Sequence, residues 1–470
     1  MQKIMRNKKS FLKNLLRIIS EENEVISTTH VGSFLKKNLS EISDIDIVVI
    51  VNSLTPKTYE KLNHKVSSFN ISKYFPGYEI LVNSTFGPLK VIKENTLVIH
   101  LMIYSLDDHE KHTIESPFTT LDWERSKNYY KNSLSSLSKT YNLSLQDFTS
   151  SYRGSSGYLE DIKKRKISCK QYKIVNNKMI LEKFEENIDN KYEVEFSYHV
   201  FQNIIVNFLK FITKKNTINS FEKYWKDYLP LLFENYYPTF IKLKALKLNK
   251  EYGSGFKLRT TEEFISDFNI ELDNFQSNAK NIIFVRHMET ELNKESIFYG
   301  THKDSKIISQ NIELDPTISD KNYAVFASEA TRTNASAEKY GFREINITKE
   351  LNEIEYGLAE NMTYSEYEKK YPLNSISWNV GIDKRFPKGE NNYDVLKRIN
   401  KHINKLESDS ILFTHQVPIR VFLGNYYKIP KKDWYKIYIP HNKAIKFLKY
   451  KNDIFSNIDR PLLSTLFKKL

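Results

Sequence analysis

Apolar residues near the start of the chain recur at helical spacing. Phe11, Leu12, Leu15, Leu16 and Ile19 form one stripe among lysines and asparagines, which predicts an amphipathic helix. Val25–Thr28 follows, then His30-Val31-Gly32-Ser33, a short helix-like stretch Phe34–Leu39, and Ile42–Val51, reading ISDIDIVVIV. The β-branched content of that last run predicts a strand. YEILV, carrying Glu79, and Leu97–Tyr104 (LVIHLMIY) predict two more.

Helical spacing then takes over. Trp123–Tyr141 reads as helical, and Tyr152–Asp161 (YRGSSGYLED) as a Gly/Ser-rich turn into a helix. Phe201, Ile204, Ile205, Phe208, Leu209 and Ile212 share one helix face. Trp225, Leu229, Leu232, Phe233, Tyr236 and Phe240 continue the pattern, with breaks expected at Pro230 and Pro238. Residues 250–278 read as a connection ending in an acidic helix. Beyond it, short apolar runs return at Ile282–Val285, Tyr323–Ser328 and Ile411–Thr414. The alternation predicts a multidomain α/β chain, with regions 1–115, 116–275 (helical) and 276–470.

Composition changes this picture little. The 470 residues include 71 Lys and Arg against 57 Asp and Glu, a formal charge of +14. Such a balance invites nucleic acid as a partner, but lysine is spread throughout and no arginine-rich patch stands out, so that reading is disfavoured. A positive field also suits small phosphorylated substrates. Cys169 is the sole cysteine, which excludes an intrachain disulfide and points to a reducing, cytoplasmic setting. No run approaches 18 apolar residues, so no transmembrane helix is expected.

The chemistry concentrates first at Ile282–Asn293, IIFVRHMETELN. A buried strand that delivers Arg286 and His287 to its carboxyl end is a natural phosphate holder. Arginine gives a permanent fork of donors, and neutral histidine a nucleophile. Partners follow in order: SEATRTNASA with Arg332, LNEIEYG with Glu353, and a strand ending in THQ with His415. FPKGENNYDVLKRI and HNKAIKFLKY add a helix start and a final strand. Together these resemble the histidine phosphatase superfamily, the phosphoglycerate-mutase-like fold, over residues 280–470. The resemblance implies a three-layer α/β/α domain in which His287 becomes a phosphohistidine. It implies that Arg286, Arg332 and His415 hold the phosphate, Asn293 donates to it, and Glu353 protonates the leaving oxygen and then activates water, with no cofactor. Met288 and Gln416 depart from the family pattern, which has Gly at both places. The compact spacing after Arg332 favours hydrolysis over mutase chemistry.

The second concentration is Gly32-Ser33, ten residues, then Asp44 and Asp46. Two carboxylates on one strand face repel unless a cation sits between them. Gly32 lets backbone approach a phosphate, and Ser33 offers a hydroxyl. This pattern resembles the DNA-polymerase-β-like nucleotidyltransferase superfamily over about residues 10–115, in a mixed-sheet domain. The resemblance implies Mg²⁺ held by Asp44 and Asp46 with a nucleoside triphosphate. Where that family carries a third carboxylate, the inward position of Leu97–Tyr104 is His100, a poor Mg²⁺ ligand. His100 as an adapted residue, substitution by Glu79, and an inactive domain that only binds nucleotide all stay open.

The expected activity is hydrolysis of a small phosphorylated metabolite, coupled to Mg²⁺-dependent nucleotidyl transfer. The alternatives are a phosphatase with an inactive nucleotide-binding N-terminal domain, and a nucleic-acid-modifying nucleotidyltransferase.

Overall fold

The computed structural model describes residues 2–35, 44–87, 95–189, 191–249, 251, 256–295, 297–301, 305–308, 314–318, 322–373 and 383–470. Residues 36–39 of the expected helix-like stretch, and Ile42 and Ser43, lie outside them. The fold is mixed α/β and divides into two compact units, 1–143 with 147–271, and 144–146 with 272–470. No helix among the described residues is long and apolar enough to cross a membrane.

The strands of the first unit are β1 (Val25–Val31), β2 (Ile45–Val51), β3 (Glu79–Asn83), β4 (Thr85–Phe86), β5 (Thr96–Ser105), β6 (Tyr129–Lys131), β7 (Lys166–Val175) and β8 (Lys178–Asn187). Five of them form a sheet in the order β3-β5-β2-β1-β6. β2 runs parallel to β5 and antiparallel to β1. One face of this sheet is covered by the helices Gln2–Ser20 and Pro56–Ser67. The stripe Phe11, Leu12, Leu15, Leu16 and Ile19 packs there against Ile45, Ile47, Val49 and Val51. The opposite face carries Val48, Ile50, Met102 and Tyr104, and on it lie Asp46 and His100.

The middle of the chain differs from expectation in four places. Leu145–Lys164 is one helix, not a turn at 152–161. Phe148, Tyr152, Leu159 and Ile162 bury one face of it, while Gly154 and Gly157 face open space. A buried face of that size outweighs about 1 kcal/mol per glycine. The helix expected over Trp123–Tyr141 stops at Trp123 and is followed by β6 and the short helix Leu134–Leu137. Pro238 lies inside the helix Pro230–Asn249 without ending it, because Tyr236, Phe240 and Leu243 are buried on either side. Pro230 does separate that helix from Phe221–Tyr228. Finally, β7 and β8 form a long antiparallel hairpin that also pairs with β4. Asp107 and Asp108 open the helix Leu106–Glu115, whose cap is Ser105.

The second unit has β9 (Lys280–Arg286), β10 (Ala324–Ala327), β11 (Asn346–Ile347), β12 (Ser410–Thr414), β13 (Ala444–Tyr450) and β14 (Asp453–Ser456), in sheet order β11-β10-β12-β9-β13-β14. The first four in that order are parallel, and β13 and β14 are antiparallel. Ile283, Val285, Val325, Ile411 and Phe413 face one side, where the helix Thr331–Lys339 contributes Ala337. Phe284 faces the other and meets Phe422 of the helix Gln416–Tyr426 at 4.9 Å. Continuous apolar strands are what a sheet covered on both faces requires.

Candidate active sites

In the second unit the register of β9 and β12 brings two histidines together. Arg286 and Thr414 are cross-strand partners, and the His287 N–H donates to the Thr414 carbonyl at 3.0 Å. The next residue on each strand is a histidine, and the two rings lie 5.2 Å apart. Both sit at the carboxyl ends of parallel strands, where open α/β sheets bind ligands. Ser328, just past β10, joins them.

The hydrogen bonds assign the tautomers. His287 Nδ1 donates to the Met288 carbonyl at 2.7 Å, so Nε2 carries the lone pair. A guanidinium has only donors, so His415 Nδ1 accepts from Arg332 Nη2 at 3.1 Å, and His415 Nε2 donates to Ser328 Oγ at 2.8 Å. Arg332 is almost fully buried; it also donates to the Gly300 carbonyl at 3.0 Å and stacks over Tyr299. Arg286 donates to the Ile439 carbonyl at 2.7 Å, and its buried Nε finds no hydrogen-bond partner among the described residues. Burial, with Arg332 and other basic neighbours, holds both His287 and His415 well below the usual imidazole range.

Glu353 is the buried acid of the group. Its Oε1 accepts from the backbone of Ile354 at 2.9 Å and of Val417 at 3.2 Å, the latter in the first turn of Gln416–Tyr426. Burial pushes its carboxyl up, against the pull of these bonds and of Arg332 and Arg286. Arg398 fixes the segment, bonding the carbonyls of Glu350 and Glu353 and the carboxylate of Glu390. Gly357, with φ of +54°, lies against the Pro387 carbonyl so closely that a Cβ would approach it to 2.2 Å. Thus LNEIEYG and FPKGE pack as one piece.

Asn293 is half-buried in the 3-10 turn Glu291–Lys294 that follows β9. Its Oδ1 accepts from the Thr290 N–H at 2.9 Å and from the Thr290 hydroxyl, so its amide nitrogen is the donor available for a ligand. Met288 is buried, and its N–H donates to Ser336 Oγ at 2.9 Å. Several neighbours escaped the sequence reading. His441 lies 5.4 Å from His287 by ring centre and donates from Nδ1 to the His287 carbonyl at 2.8 Å. Burial and Arg286 push it down to about 4. Arg420 interacts electrostatically with Glu353 and Arg286. Its place five residues past the second histidine, one helical turn into the following helix, was the available signal.

In the first unit, ligand atoms of Asp44, Asp46 and His100 all lie within 4.8 Å of one another. Asp44 just precedes β2, and Asp46 is the register partner of both Val31 and His100. Gly32 and Ser33 follow β1 directly. A Cβ on Gly32, at φ of +88°, would stand 2.6 Å from Asp46 Oδ2, so only glycine permits this approach. His100 departs from ligand behaviour. Its Nδ1 faces Asp46 Oδ1 at 3.0 Å and its Nε2 faces the Thr85 carbonyl at 2.7 Å. Both partners are acceptors, so the ring satisfies both only as imidazolium. Burial opposes that charge, but Asp46 and the Thr85 carbonyl raise the ring above its ordinary range. An imidazolium has no lone pair for a metal. Asp44 and Asp46 therefore fit one hard cation, and His100 does not complete a larger cluster. Glu79 begins β3, its register partner on β5 is Thr96, and it is outside this cluster.

Residues 282–457 match the model of the histidine phosphatase superfamily (branch 1), and residues 12–99 match that of the nucleotidyltransferase domain. The 6-phosphofructo-2-kinase/fructose-2,6-bisphosphatase 4 of Homo sapiens is 31% identical over 163 residues, 33% of this chain and 34% of that protein. The fructose-2,6-bisphosphatase of Saccharomyces cerevisiae is 27% identical over 184 residues, covering 37% of this chain and 40% of that one. The chain thus spans well under half the length of these curated relatives. Among solved structures, the alpha-ribazole phosphatase from Shigella flexneri is similar at 16% identity and a TM-score of 0.34, over 38% of this chain and 96% of that one.

Proposed function

We propose that the second unit hydrolyses a phosphomonoester of a small metabolite through a phosphohistidine on His287. The observation that carries this reading is the pairing of two neutral imidazoles, 5.2 Å apart, with a buried guanidinium bonded to one of them. In the proposed reaction His287 Nε2 attacks phosphorus as the phosphorus–oxygen ester bond breaks. Glu353, whose raised pKa favours the protonated acid, gives its proton to the leaving oxygen. Water then attacks the phosphohistidine, Glu353 takes a proton from it, the phosphorus–nitrogen bond breaks, and inorganic phosphate departs. Arg286, Arg332, His415 and the amide of Asn293 hold the equatorial oxygens, where charge builds up. The arriving dianion supplies the countercharge that lets His415 take up a second proton on Nδ1, once Arg332 Nη2 turns from that nitrogen to a phosphate oxygen.

A sugar phosphate is the substrate class we favour. Two of the relatives are named for fructose-2,6-bisphosphate hydrolysis, and Arg420 offers a further guanidinium for an anionic substituent. A panel of phosphorylated metabolites, assayed for phosphate release, tests this. Activity on sugar phosphates above other esters supports it, and no release from any ester removes it.

For the first unit we propose nucleoside triphosphate binding at Gly32, Ser33, Asp44 and Asp46, with nucleotidyl transfer as the activity. Mg²⁺ held by the two carboxylates would neutralise the triphosphate and favour attack at phosphorus. His100 favours a second reading, in which the internal cation stands where metal-bound chemistry needs an anion and the domain only binds nucleotide. Pyrophosphate release from a nucleoside triphosphate with Mg²⁺, assayed in the presence of the metabolite panel, separates the two.

A further inference from the structure

We propose that the first unit holds a second ligand site, a cavity for an organic phosphate with a flat ring of the nucleoside monophosphate class, framed by β4, β5, the helix Leu106–Glu115 and the β7–β8 hairpin. The cavity measures about 500 Å³, within the range of small-molecule sites. It is separate from the acid pair. The Thr85 carbonyl holds His100, but the next two residues, Phe86 and Gly87, line the cavity. Tyr104, another wall residue, lies four positions beyond His100 on the same face of β5, roughly 13 Å along the strand.

The walls supply both halves of such a ligand. Phe86, Tyr104 and Tyr172 give an aromatic surface, with Phe86 5.2 Å from Tyr104 and 5.6 Å from Tyr172. His112 stacks on Tyr104 at 5.2 Å, and its Nε2 is shielded from water without a hydrogen-bond partner. That is a polar atom buried at a cost, behind the aromatic wall. Burial pushes His112 down to about 4, so it stands in the cavity wall uncharged.

The charge pattern selects the other half. Lys170 and Lys183 are direct register partners across β7 and β8, and both line the cavity. Like charges placed opposite one another destabilise a hairpin. Neither makes an ion pair among the described residues, although the adjacent Glu182 pairs with Lys173, and Glu185 pairs with Lys166. Lys111 and Asp108 offset each other within the wall, at 3.8 Å. Among the lining residues Glu115 is the remaining acid against the two opposed lysines, so the lining keeps a net positive charge, although Asp161 also acts on Lys183 from outside it. A phosphate dianion between Lys170 and Lys183 would turn their repulsion into a clamp.

Calorimetric titration of the full chain with AMP, adenosine and inorganic phosphate tests the site. AMP is expected to bind saturably, and adenosine and phosphate each at least about tenfold more weakly. Lys170→Glu with Lys183→Glu, both exposed, is expected to weaken AMP by at least about tenfold while leaving phosphomonoester hydrolysis and the circular dichroism spectrum unchanged. Tyr172→Ala is expected to weaken both AMP and adenosine. Asp44→Asn with Asp46→Asn is expected to leave AMP binding intact. No saturable AMP binding, an unchanged affinity after charge reversal, or loss of binding in the Asp44/Asp46 variant would each overturn the proposal. The last outcome would assign AMP to the acid pair instead.

Discussion

Around His287 and His415 the second unit gathers guanidiniums and neutral imidazoles, with Glu353 as the buried anion beside them. Around Asp44 and Asp46 the first unit gathers carboxylates and provides its own cation, His100. Both groups sit on sheets, and both rest on a residue type that geometry compels: register in one case, Gly32 in the other. The difference lies in what each leaves unbalanced. The pocket of His287, His415 and the arginines has surplus positive charge in a buried setting, which an anionic substrate would relieve. The acid pair is partly neutralised already, so an incoming metal would compete with a proton on His100. A site poised for a ligand and a site that carries its own counterion can share one chain, and sequence motifs alone do not tell them apart.

The largest expected effect is on the first side of this contrast. His287→Ala is expected to lower phosphate release by about 10³-fold or more with the circular dichroism spectrum unchanged, and retained activity would dissolve the contrast altogether. Glu353→Gln is expected to cost about 10²–10⁴-fold on esters with poor leaving groups and much less on p-nitrophenyl phosphate. An equal loss on both would remove Glu353 from proton transfer.

The other side is sharpened by His100→Asp. Replacing a cation by an anion about 4 Å from the acid pair changes the local energy by about 4 kcal/mol or more at a protein-like dielectric. Mn²⁺ binding, followed by calorimetry, should therefore tighten by well over tenfold. An unchanged affinity would mean that the imidazolium does not oppose metal at all.

Protonation gives the smallest effect and the two signs. His441 sits at about 4 in the folded chain against about 6.5 when unfolded. The unfolded chain therefore binds more protons below that value, and stability falls as pH drops from 7 to 5, by about 2 kcal/mol from this residue. His287 and His415 act in the same direction. His100 acts oppositely: its raised pKa stabilises the fold at acid pH, and that contribution is lost as pH rises through the folded value. The urea midpoint should fall between pH 7 and 5 in the wild type, and fall further in His100→Gln. A flat profile in both would contradict these assignments.

Much of the second unit was legible because its signals are local. Apolar runs ending in Arg286-His287 and in His415 mark buried parallel strands, and the order of motifs carried the rest. Convergence itself was not legible, since it depends on the register that pairs Arg286 with Thr414. His441 joins the group through tertiary packing that no spacing announces, and Arg420 was marked only by its place one helical turn past His415. In the first unit the acid pair was readable, but the state of His100 depends on the Thr85 carbonyl, fifteen residues away. The β7–β8 hairpin was missed although its signal was present. Asn176 and Asn177 both adopt left-handed φ, +49° and +58°, as a two-residue hairpin turn requires, with Ile174 and Val175 before them and Met179 and Ile180 just beyond Lys178. The lysines of the hairpin masked the alternation, and two of them, Lys170 and Lys183, line the proposed cavity.

The central claim is that His287 carries the phosphoryl group during turnover. Acid-labile, alkali-stable phosphate should be trapped by rapid quench during hydrolysis of a labelled ester, on the peptide containing His287, and Glu353→Gln should make it accumulate if hydrolysis of the intermediate becomes limiting. Label on another residue, or hydrolysis with no trapped phosphoryl-enzyme and inversion rather than retention at phosphorus, would contradict it.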